Sequence, residues 1–171
     1  MKTIHLFIYS VIALILCGCG AAQSVSEGTA SVAKAIFVWD VRTLHLDFTA
    51  RAELNVDDEK RSSPVVIRIY QLNDASSFKT ATYDELVNQD SDVLGKTRIT
   101  QKEIVLRADN SISIDEPFDK NAEYVGIVAL FKEPDLKADN WRLVLKRRDL
   151  NILSPRKIIV NKYTLELVEE D

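Results

Sequence analysis

The chain has 171 residues, of which 46% are hydrophobic and 28% are charged, and a formal net charge of −4 at pH 7. This length suits one domain with a substantial hydrophobic core. A mildly acidic chain with mixed charges argues against a nucleic acid partner, which would require a basic patch.

The first twenty residues have the pattern of a bacterial lipoprotein export signal. Residues 6–16 are mostly apolar, and they lead into a lipobox made of Leu16, Gly18 and Cys19. We therefore predict that residues 1–18 are a lipoprotein signal peptide and that Cys19 is lipidated. A transmembrane anchor is the alternative, but an apolar run of about eleven residues is too short when a spanning helix needs about 20.

The residues beside Cys19 predict where the anchored protein resides. Gly20 follows Cys19, and the aspartate that favours retention in the inner membrane is absent, so we expect an outer-membrane anchor with the domain facing the periplasm. Several acyl chains on one cysteine anchor stably, whereas a single chain is marginal. A disulfide between Cys17 and Cys19 is less favourable, because it would close almost no loop and would be strained.

The sequence after the signal offers few groups for catalysis. Residues 19–33 are small and polar and predict a flexible tether, and we place the periplasmic domain at 34–171. Its only histidine is His45, and no cysteine follows Cys19, which disfavours zinc sites and Ser-His-Asp triads. No GxGxxG, GxxxxGK[ST] or HExxH motif occurs. We predict no enzymatic activity, no metal, and no cofactor beyond the acyl chains.

The first strong strand prediction covers residues 43–54. Apolar and polar residues alternate over twelve positions there, which is typical of a strand with one buried face. The predicted inward residues are Leu44, Leu46, Phe48, Ala50, Ala52 and Leu54. Pro64 then opens a second predicted strand at 65–72, since the first position of a strand tolerates the loss of an N–H donor.

The segment 74–95 interrupts the strand pattern and predicts a helical insertion. Thr82 and Glu85 form a capping box for a short helix that ends at about Asn88. Residues 76–79 predict a further helical turn. We expect this insertion to cover an edge of a sheet, because exposed edges invite unwanted pairing.

Strands resume after the insertion and complete an all-β fold. The predicted strands lie at 99–107, 111–116, 123–132 and 157–168, and another alternates through Trp141, Leu143 and Leu145. The 125–131 stretch is apolar on both faces, which predicts a central strand. In the last strand, the predicted inward residues are Ile159, Tyr163, Leu165 and Leu167. With a short strand at 34–39, about eight strands form a two-sheet β-sandwich with a short helical insertion.

Loops carry most function in a sandwich, and the connection 55–63 is the main candidate. It is acidic, then basic, then small, which fits either a solvated turn or a docking loop for a protein partner. Polar loops contribute specificity and association rate more than affinity. The candidate residues are Asn55, Val56, Asp57, Asp58, Glu59, Lys60, Arg61, Ser62 and Ser63.

Two other connections are weaker candidates. The insertion has a cluster of possible calcium ligands, but it lacks the remaining ligands and the glycine of a calcium-binding loop; the cluster is Asn88, Asp90 and Asp92. The stretch 132–141 ends at Trp141, whose alternation with the next apolar residues predicts a core position.

Several segments resemble the type VI secretion outer-membrane lipoprotein family, TssJ, also called SciN. The most specific is the block Ser-Pro-Val-Val-Ile-Arg-Ile-Tyr-Gln-Leu at 63–72. The lipobox and the order of the segments agree with the same family. The other matching segments are Leu54-Asn55, Phe78, Leu86, the run from Tyr124 to Phe131, and Trp141-Arg142.

The resemblance implies a transthyretin-like β-sandwich that binds the periplasmic C-terminal region of the inner-membrane protein TssM, with TssL in the same complex. It also implies that the loop between the first two long strands, here 55–63, contacts TssM. Many relatives have Asn-Pro-Asp and a glycine in this loop, where this chain has Asn55-Val56-Asp57 and no glycine. No nucleic acid and no small-molecule substrate are implied.

Two alternatives remain at this point. One is a pilotin-like lipoprotein that assists another outer-membrane assembly. The other is a glycan-binding periplasmic module, which would need several exposed aromatic residues on one face. The chain has only two tryptophans, Trp39 and Trp141.

Overall fold

A computed structural model of the protein describes residues 41–169. The predicted signal peptide 1–18, Cys19, the tether 19–33 and the short strand at 34–39 lie outside the described residues.

The described residues form two four-stranded sheets, as an all-β sandwich requires. One sheet has the order β4-β1-β7-β8 and the other has the order β3-β2-β5-β6. Neighbouring strands are antiparallel except for β1 and β7, which are parallel. The strands are β1 Thr43–Leu54, β2 Val65–Leu72, β3 Arg98–Leu106, β4 Ser111–Pro117, β5 Tyr124–Leu130, β6 Arg142–Lys146, β7 Arg156–Lys162 and β8 Thr164–Leu167.

The strand pairings define two ends of the sandwich. At the loop end, Leu54 pairs with Lys162, and the connections are 55–64, 107–110, 131–141 and the β7–β8 turn. At the entry end, Thr43 pairs with Pro117, and the connections are 73–97, 118–123 and 147–155. The described chain begins at Val41, which is at the entry end because Arg147 donates a hydrogen bond to the Val41 carbonyl at 2.9 Å.

Strand β1 follows its predicted alternation with one exception. Its first four predicted inward side chains, and that of Leu54, are at most 4% exposed. Ala52 was predicted inward but is exposed, because the β1–β7 register shifts between Ala50 and Leu54. Four positions of β1 span two positions of β7 there, so Ala52 lies in the irregular stretch, while Leu54 returns to the buried face.

The predicted strand 157–168 is two strands joined by a tight turn. Lys162 adopts a positive φ of 39°, and the chain reverses between β7 and β8. The inward residues of β7 are Ile158 and Val160, so the prediction for Ile159 was wrong; Leu165 of β8 is buried as expected. Because the predicted last strand is two strands, the described residues contain eight strands without the predicted strand at 34–39, which lies outside them.

The insertion contains three short helices and a 3-10 turn. They are α1 Ser76–Thr80, α2 Tyr83–Asn88, α3 Asp90–Leu94 and the turn Gly95–Thr97. The predicted capping box is present: Thr82 accepts a hydrogen bond from the Glu85 N–H at 3.3 Å, and the Glu85 carboxylate accepts one from the Thr82 N–H at 2.7 Å. This arrangement satisfies two backbone donors at the start of α2.

The insertion covers the outer face of the β3-β2-β5-β6 sheet, so the expectation of an edge cover was wrong. Phe78 of α1 is fully buried and packs against Gly126 of β5. Arg68 of β2 donates to the Leu86 and Val87 carbonyls at 2.9 and 3.0 Å. Strand β5 is thus covered on both faces, which explains its continuous apolar sequence.

Candidate functional site

The connection between β1 and β2 is anchored by a buried asparagine. Asn55 is 3% exposed and has a positive φ of 46°. Its amide nitrogen donates to the Pro64 carbonyl at 3.1 Å, and its side-chain oxygen accepts from the Lys132 N–H at 2.8 Å. Its own N–H donates to the Lys162 carbonyl at 2.7 Å. One residue therefore joins three connections of the loop end.

A second anchor comes from the β7–β8 turn. The Tyr163 hydroxyl donates to the Val56 carbonyl at 2.6 Å, and the Tyr163 ring makes an edge contact with Phe131 at 6.3 Å between centroids. Partial burial, with the carboxylates of Glu133 and Asp58 nearby, raises the pKa of Tyr163. The tyrosine therefore stays neutral and holds the base of the loop against the sheet.

The tip of the connection is a compact turn stabilised by Asp57. The Lys60 N–H donates to the Asp57 carbonyl at 2.9 Å, and Lys60 has a positive φ of 62°. The Asp57 carboxylate accepts from the Arg61 N–H at 2.8 Å and from the Arg61 guanidinium at 2.9 Å. The backbone hydrogen bond from Arg61 is the main reason that the pKa of Asp57 lies below its ordinary value.

Charged and exposed side chains form the outer surface of this turn. Glu59 pairs with Arg61 at 3.0 Å, and the Arg61 side chain is 73% exposed. Asp58 and Lys60 are also exposed. The tip thus presents mixed charges to solvent, while Asn55 and Val56 below it are buried. Surface charges of this kind favour oriented encounter with a charged partner.

The connection 131–141 lies beside the loop 55–63. The Lys132 ammonium donates to the Ser63 hydroxyl at 2.8 Å, so the two loops share a hydrogen bond beyond Asn55. Leu136 is 64% exposed in this connection, whereas Trp141 is 2% exposed, which confirms its predicted core position. The loop end therefore combines a charged turn with one exposed leucine.

The site residues predicted from the sequence fall into two groups. Residues 57–63 form the accessible part, and Asn55 and Val56 form its buried base. Sequence reasoning missed Tyr163 and Lys132, because both act from connections distant in the chain. The sequence does contain a signal for the positive φ of Asn55, since asparagine is one of the few residues that adopt a left-handed conformation readily.

Among the possible calcium ligands in the insertion, Asp90 is bound to other side chains. The Asp90 carboxylate accepts from the Tyr70 hydroxyl at 2.9 Å and from Arg98 at 3.2 Å. Across residues 41–169, no group of three or more Cys, His, Asp or Glu side chains is placed to hold a metal ion. His45 pairs with Asp115 on the outer face of the first sheet. Within the same range, no helix is long and apolar enough to cross a bilayer.

The described residues thus define a class of protein: an all-β sandwich with one helix-covered face and a polar loop on a fixed base. The family comparison narrows this class: the model of the type VI secretion lipoprotein family (T6SS-SciN, described as VasD, EvfM and TssJ) matches residues 42–168. The chain belongs to this family. Comparison with curated proteins gave no match.

Solved structures agree with the family assignment. The chain is 40% identical to a chain of a structure described as a type VI membrane complex (TM-score 0.73) and 38% identical to one in a structure described as the C-terminal domain (869–1107) of the T6SS protein TssM from EAEC (TM-score 0.71). Both alignments cover 76% of this chain and 100% of the other.

A more distant structure shows the same fold. The T6SS lipoprotein TssJ1 from Pseudomonas aeruginosa is 22% identical, with a TM-score of 0.64 over 76% of this chain and 97% of that chain. The described fold is thus the TssJ-like β-sandwich. The family is one of structural lipoproteins of the type VI secretion membrane complex, and it is not known for enzymatic activity.

Proposed function

We propose that this protein is an outer-membrane lipoprotein of the type VI secretion membrane complex, anchored through Cys19 and bound to the periplasmic C-terminal domain of TssM through the loop 55–63. TssL belongs to the same complex in this proposal. Residues 1–18 serve as the signal peptide, residues 19–33 as the tether, and 34–171 as the periplasmic domain. The lipid and the loop are then the two ends of a link across the periplasm.

One comparison carries most of the support for TssM as the partner. About 130 residues, which is 76% of 171, cover the whole of a chain in the structure described as TssM 869–1107. That range spans 239 residues, so the matched chain is too short to be the TssM domain itself. We infer that a relative 38% identical to this protein accompanies the TssM domain in that structure.

The loop geometry supports the same partner surface. Asn55 and Val56 hold the base of the loop through a bond within the connection and bonds to two other connections, so the tip is positioned before any partner arrives. Positioning in advance lowers the entropy lost on association. Because the acyl chains provide the anchoring, an interface of standard size, roughly 800 Å² on each partner, is sufficient.

The loop assignment is tested by exchanging only its exposed tip. Residues 57–62 are replaced by Gly and Ser while Asn55 and Val56 are kept, so that the buried base remains. We expect the TssM periplasmic domain to be pulled down at least tenfold less efficiently. The matched control replaces residues 107–110, another connection at the loop end, and should bind normally. Undiminished binding by the 57–62 variant would exclude this loop as the contact.

The anchor is tested separately with Cys19→Ser. We expect a folded protein that leaves the membrane fraction, still binds the TssM domain in solution, and no longer supports secretion. Membrane fractionation, pull-down and a secretion assay measure these three properties. Normal secretion by a soluble Cys19→Ser protein would contradict the tether role while leaving the loop assignment intact.

A further inference from the structure

The loop 150–155 at the entry end has an exposed apolar tip, defined here as Ile152 and Leu153. Leu153 is 93% exposed and Ile152 is 43% exposed. Across the described residues 41–169, four large apolar side chains are this exposed, and these two are the adjacent pair among them. Single exposed apolar residues are common, but two neighbours at the end of one loop form a surface that suits an apolar partner.

The base of this loop is fixed, so the apolar tip is displayed in one direction. Leu150 is 7% exposed and packs into the core. Arg147, 8% exposed, donates to the carbonyls of Val41 and Ala122 at 2.9 and 2.7 Å. The Asn151 side chain accepts from the Leu153 N–H at 2.9 Å. The tip therefore projects away from the core instead of folding back onto it.

Basic residues flank the tip on both sides. The segment 146–157 contains five basic residues and one acidic residue, although the chain as a whole is net negative. Lys146 and Lys157 are exposed, and the Arg148 side chain is 68% exposed with its Nε 3.7 Å from Asp149. Arg147 is buried and does not contribute to this surface. Apolar side chains between basic ones are the combination that binds the surface of an anionic bilayer.

The same loop lies beside the point where the chain enters the described domain. Val41 is held by Arg147 next to the loop, and 21 residues separate Val41 from Cys19. Such a segment reaches at most about 75 Å when fully extended, so an anchor at Cys19 holds Val41 within that distance of the membrane and allows the entry end to touch it. The charged loop 55–63 lies at the opposite end.

We propose that the loop 150–155 contacts the surface of the lipid bilayer that holds the acylated Cys19, with Leu153 and Ile152 inserted among anionic headgroups. This inference rests on the proposed lipid anchor. The contact orients the sandwich so that the entry end faces the membrane and the loop 55–63 faces the periplasm. Acyl chains with a weak second contact anchor better than either alone.

The experiment uses the lipidated full-length protein in vesicles of phosphatidylethanolamine and phosphatidylglycerol. An environment-sensitive fluorophore is attached through Leu153→Cys, and in a separate protein through Leu136→Cys, an exposed leucine at the loop end that serves as the matched control. Brominated lipids quench a fluorophore that enters the headgroup region. We expect quenching at position 153 and little at position 136.

Two further measurements complete the test: one changes the charge of the lipids, and the other adds the TssM domain. Replacing phosphatidylglycerol by phosphatidylcholine should reduce quenching at position 153 severalfold, since each basic residue near an anionic surface is worth about fivefold in partitioning. Equal quenching at both positions, or none at either, would overturn the proposed orientation. Shielding of position 153 only when the TssM domain is added would assign the loop to a protein contact and reject the membrane contact.

A failure of the membrane contact can be distinguished from a failure of the proposed TssM binding. Leu153→Asp alters an exposed side chain, so the protein should fold and should bind the TssM domain as the unmodified protein does. Loss of TssM binding in this variant would contradict the placement of the apolar tip at the membrane. Loss of binding in the 57–62 variant concerns the loop end only.

Discussion

At the scale of single residues, the Asn55 side chain links connections that are far apart in the sequence. Replacing it by alanine leaves the Pro64 carbonyl and the Lys132 N–H without their partner and places alanine at a φ of 46°. An unsatisfied buried polar group costs about 1–3 kcal/mol. We expect Asn55→Ala to lower the free energy of unfolding by about 2 kcal/mol, measured by urea denaturation.

The Asn55→Ala substitution should also affect the loop tip at 57–61. Without the Asn55 bonds, the turn 57–61 keeps its internal hydrogen bonds but loses its fixed base, so TssM binding should weaken. Asp58→Ala is the control, because its side chain is exposed and such substitutions usually change stability by less than about 0.5 kcal/mol. Equal stability of the Asn55→Ala and Asp58→Ala proteins would contradict the anchoring role of Asn55.

A second residue-scale prediction concerns Gly126, which lies against Phe78. A Cβ at position 126 would sit 2.8 to 3.0 Å from three atoms of the Phe78 ring, closer than real contacts allow. Overpacking of a core typically costs about 1–3 kcal/mol. We expect Gly126→Ala to lower the free energy of unfolding by about 2 kcal/mol and to loosen the insertion from the sheet.

A double-mutant cycle separates this clash from other effects of the glycine. In the Phe78→Leu background, the additional cost of Gly126→Ala should fall below about 0.5 kcal/mol, because contacting residues are energetically coupled. Urea denaturation of the four proteins gives the coupling. Additive costs would show that the close approach of Phe78 is not the reason for glycine at this position.

At the scale of elements, the capping box predicts how α2 depends on Thr82. The Thr82 side chain accepts the Glu85 N–H, and the Glu85 carboxylate returns to the Thr82 N–H. Loss of an N-cap side chain costs about 1 kcal/mol, so Thr82→Ala should lower the free energy of unfolding by that amount. Thr80→Ala, at the exposed end of α1, is the matched control. A cost at Thr82 no larger than at Thr80 would contradict the cap assignment.

The elements also show what local sequence determines. The strand 43–54, the start of β2 directly after Pro64 and the cap of α2 were predicted from alternation, the proline and the capping residues, and the structure confirms them. The exposed Ala52 and the reversal at Lys162 were missed, because a register shift and a turn without glycine leave little trace in the residue pattern.

The same distinction applies to the candidate site. Its polar composition marked the loop 55–63, because composition is a local property. The bonds from Asn55 to Lys132 and from Tyr163 to Val56 span 77 and 107 positions. Such contacts depend on the order of strands in the two sheets, and the residue pattern of a single sequence does not specify that order.

At the scale of the whole molecule, protonation of a few groups sets the pH range in which the fold is stable. Asp57, Asp74 and Glu85 each accept a backbone N–H, from Arg61, Ser76 and Thr82, and this bond is the main cause of a pKa below the ordinary values of 3.8 and 4.5. Their contribution is present above those values and is lost as the pH falls through the folded-state pKa values.

Buried tyrosines act in the opposite direction at high pH. Burial raises the pKa of Tyr83 from 10.0 to about 12, and burial with the Asp90 hydrogen bond raises the pKa of Tyr70 further. A raised pKa means that the folded state favours the neutral phenol. This contribution is complete below pH 10 and is lost as the pH rises from 10 through the folded-state pKa values.

We therefore expect a plateau of stability between about pH 5 and pH 10, with a decline on both sides. Urea denaturation at constant ionic strength from pH 3 to pH 11 measures the profile. Replacing Asp57, Asp74 and Glu85 by their amides should flatten the acidic decline, because an amide does not titrate, while leaving the alkaline decline unchanged. Tyr83→Phe should reduce the alkaline decline alone. An unmodified protein that is as stable at pH 3 as at pH 7 would show that these carboxylates do not control the acid limit.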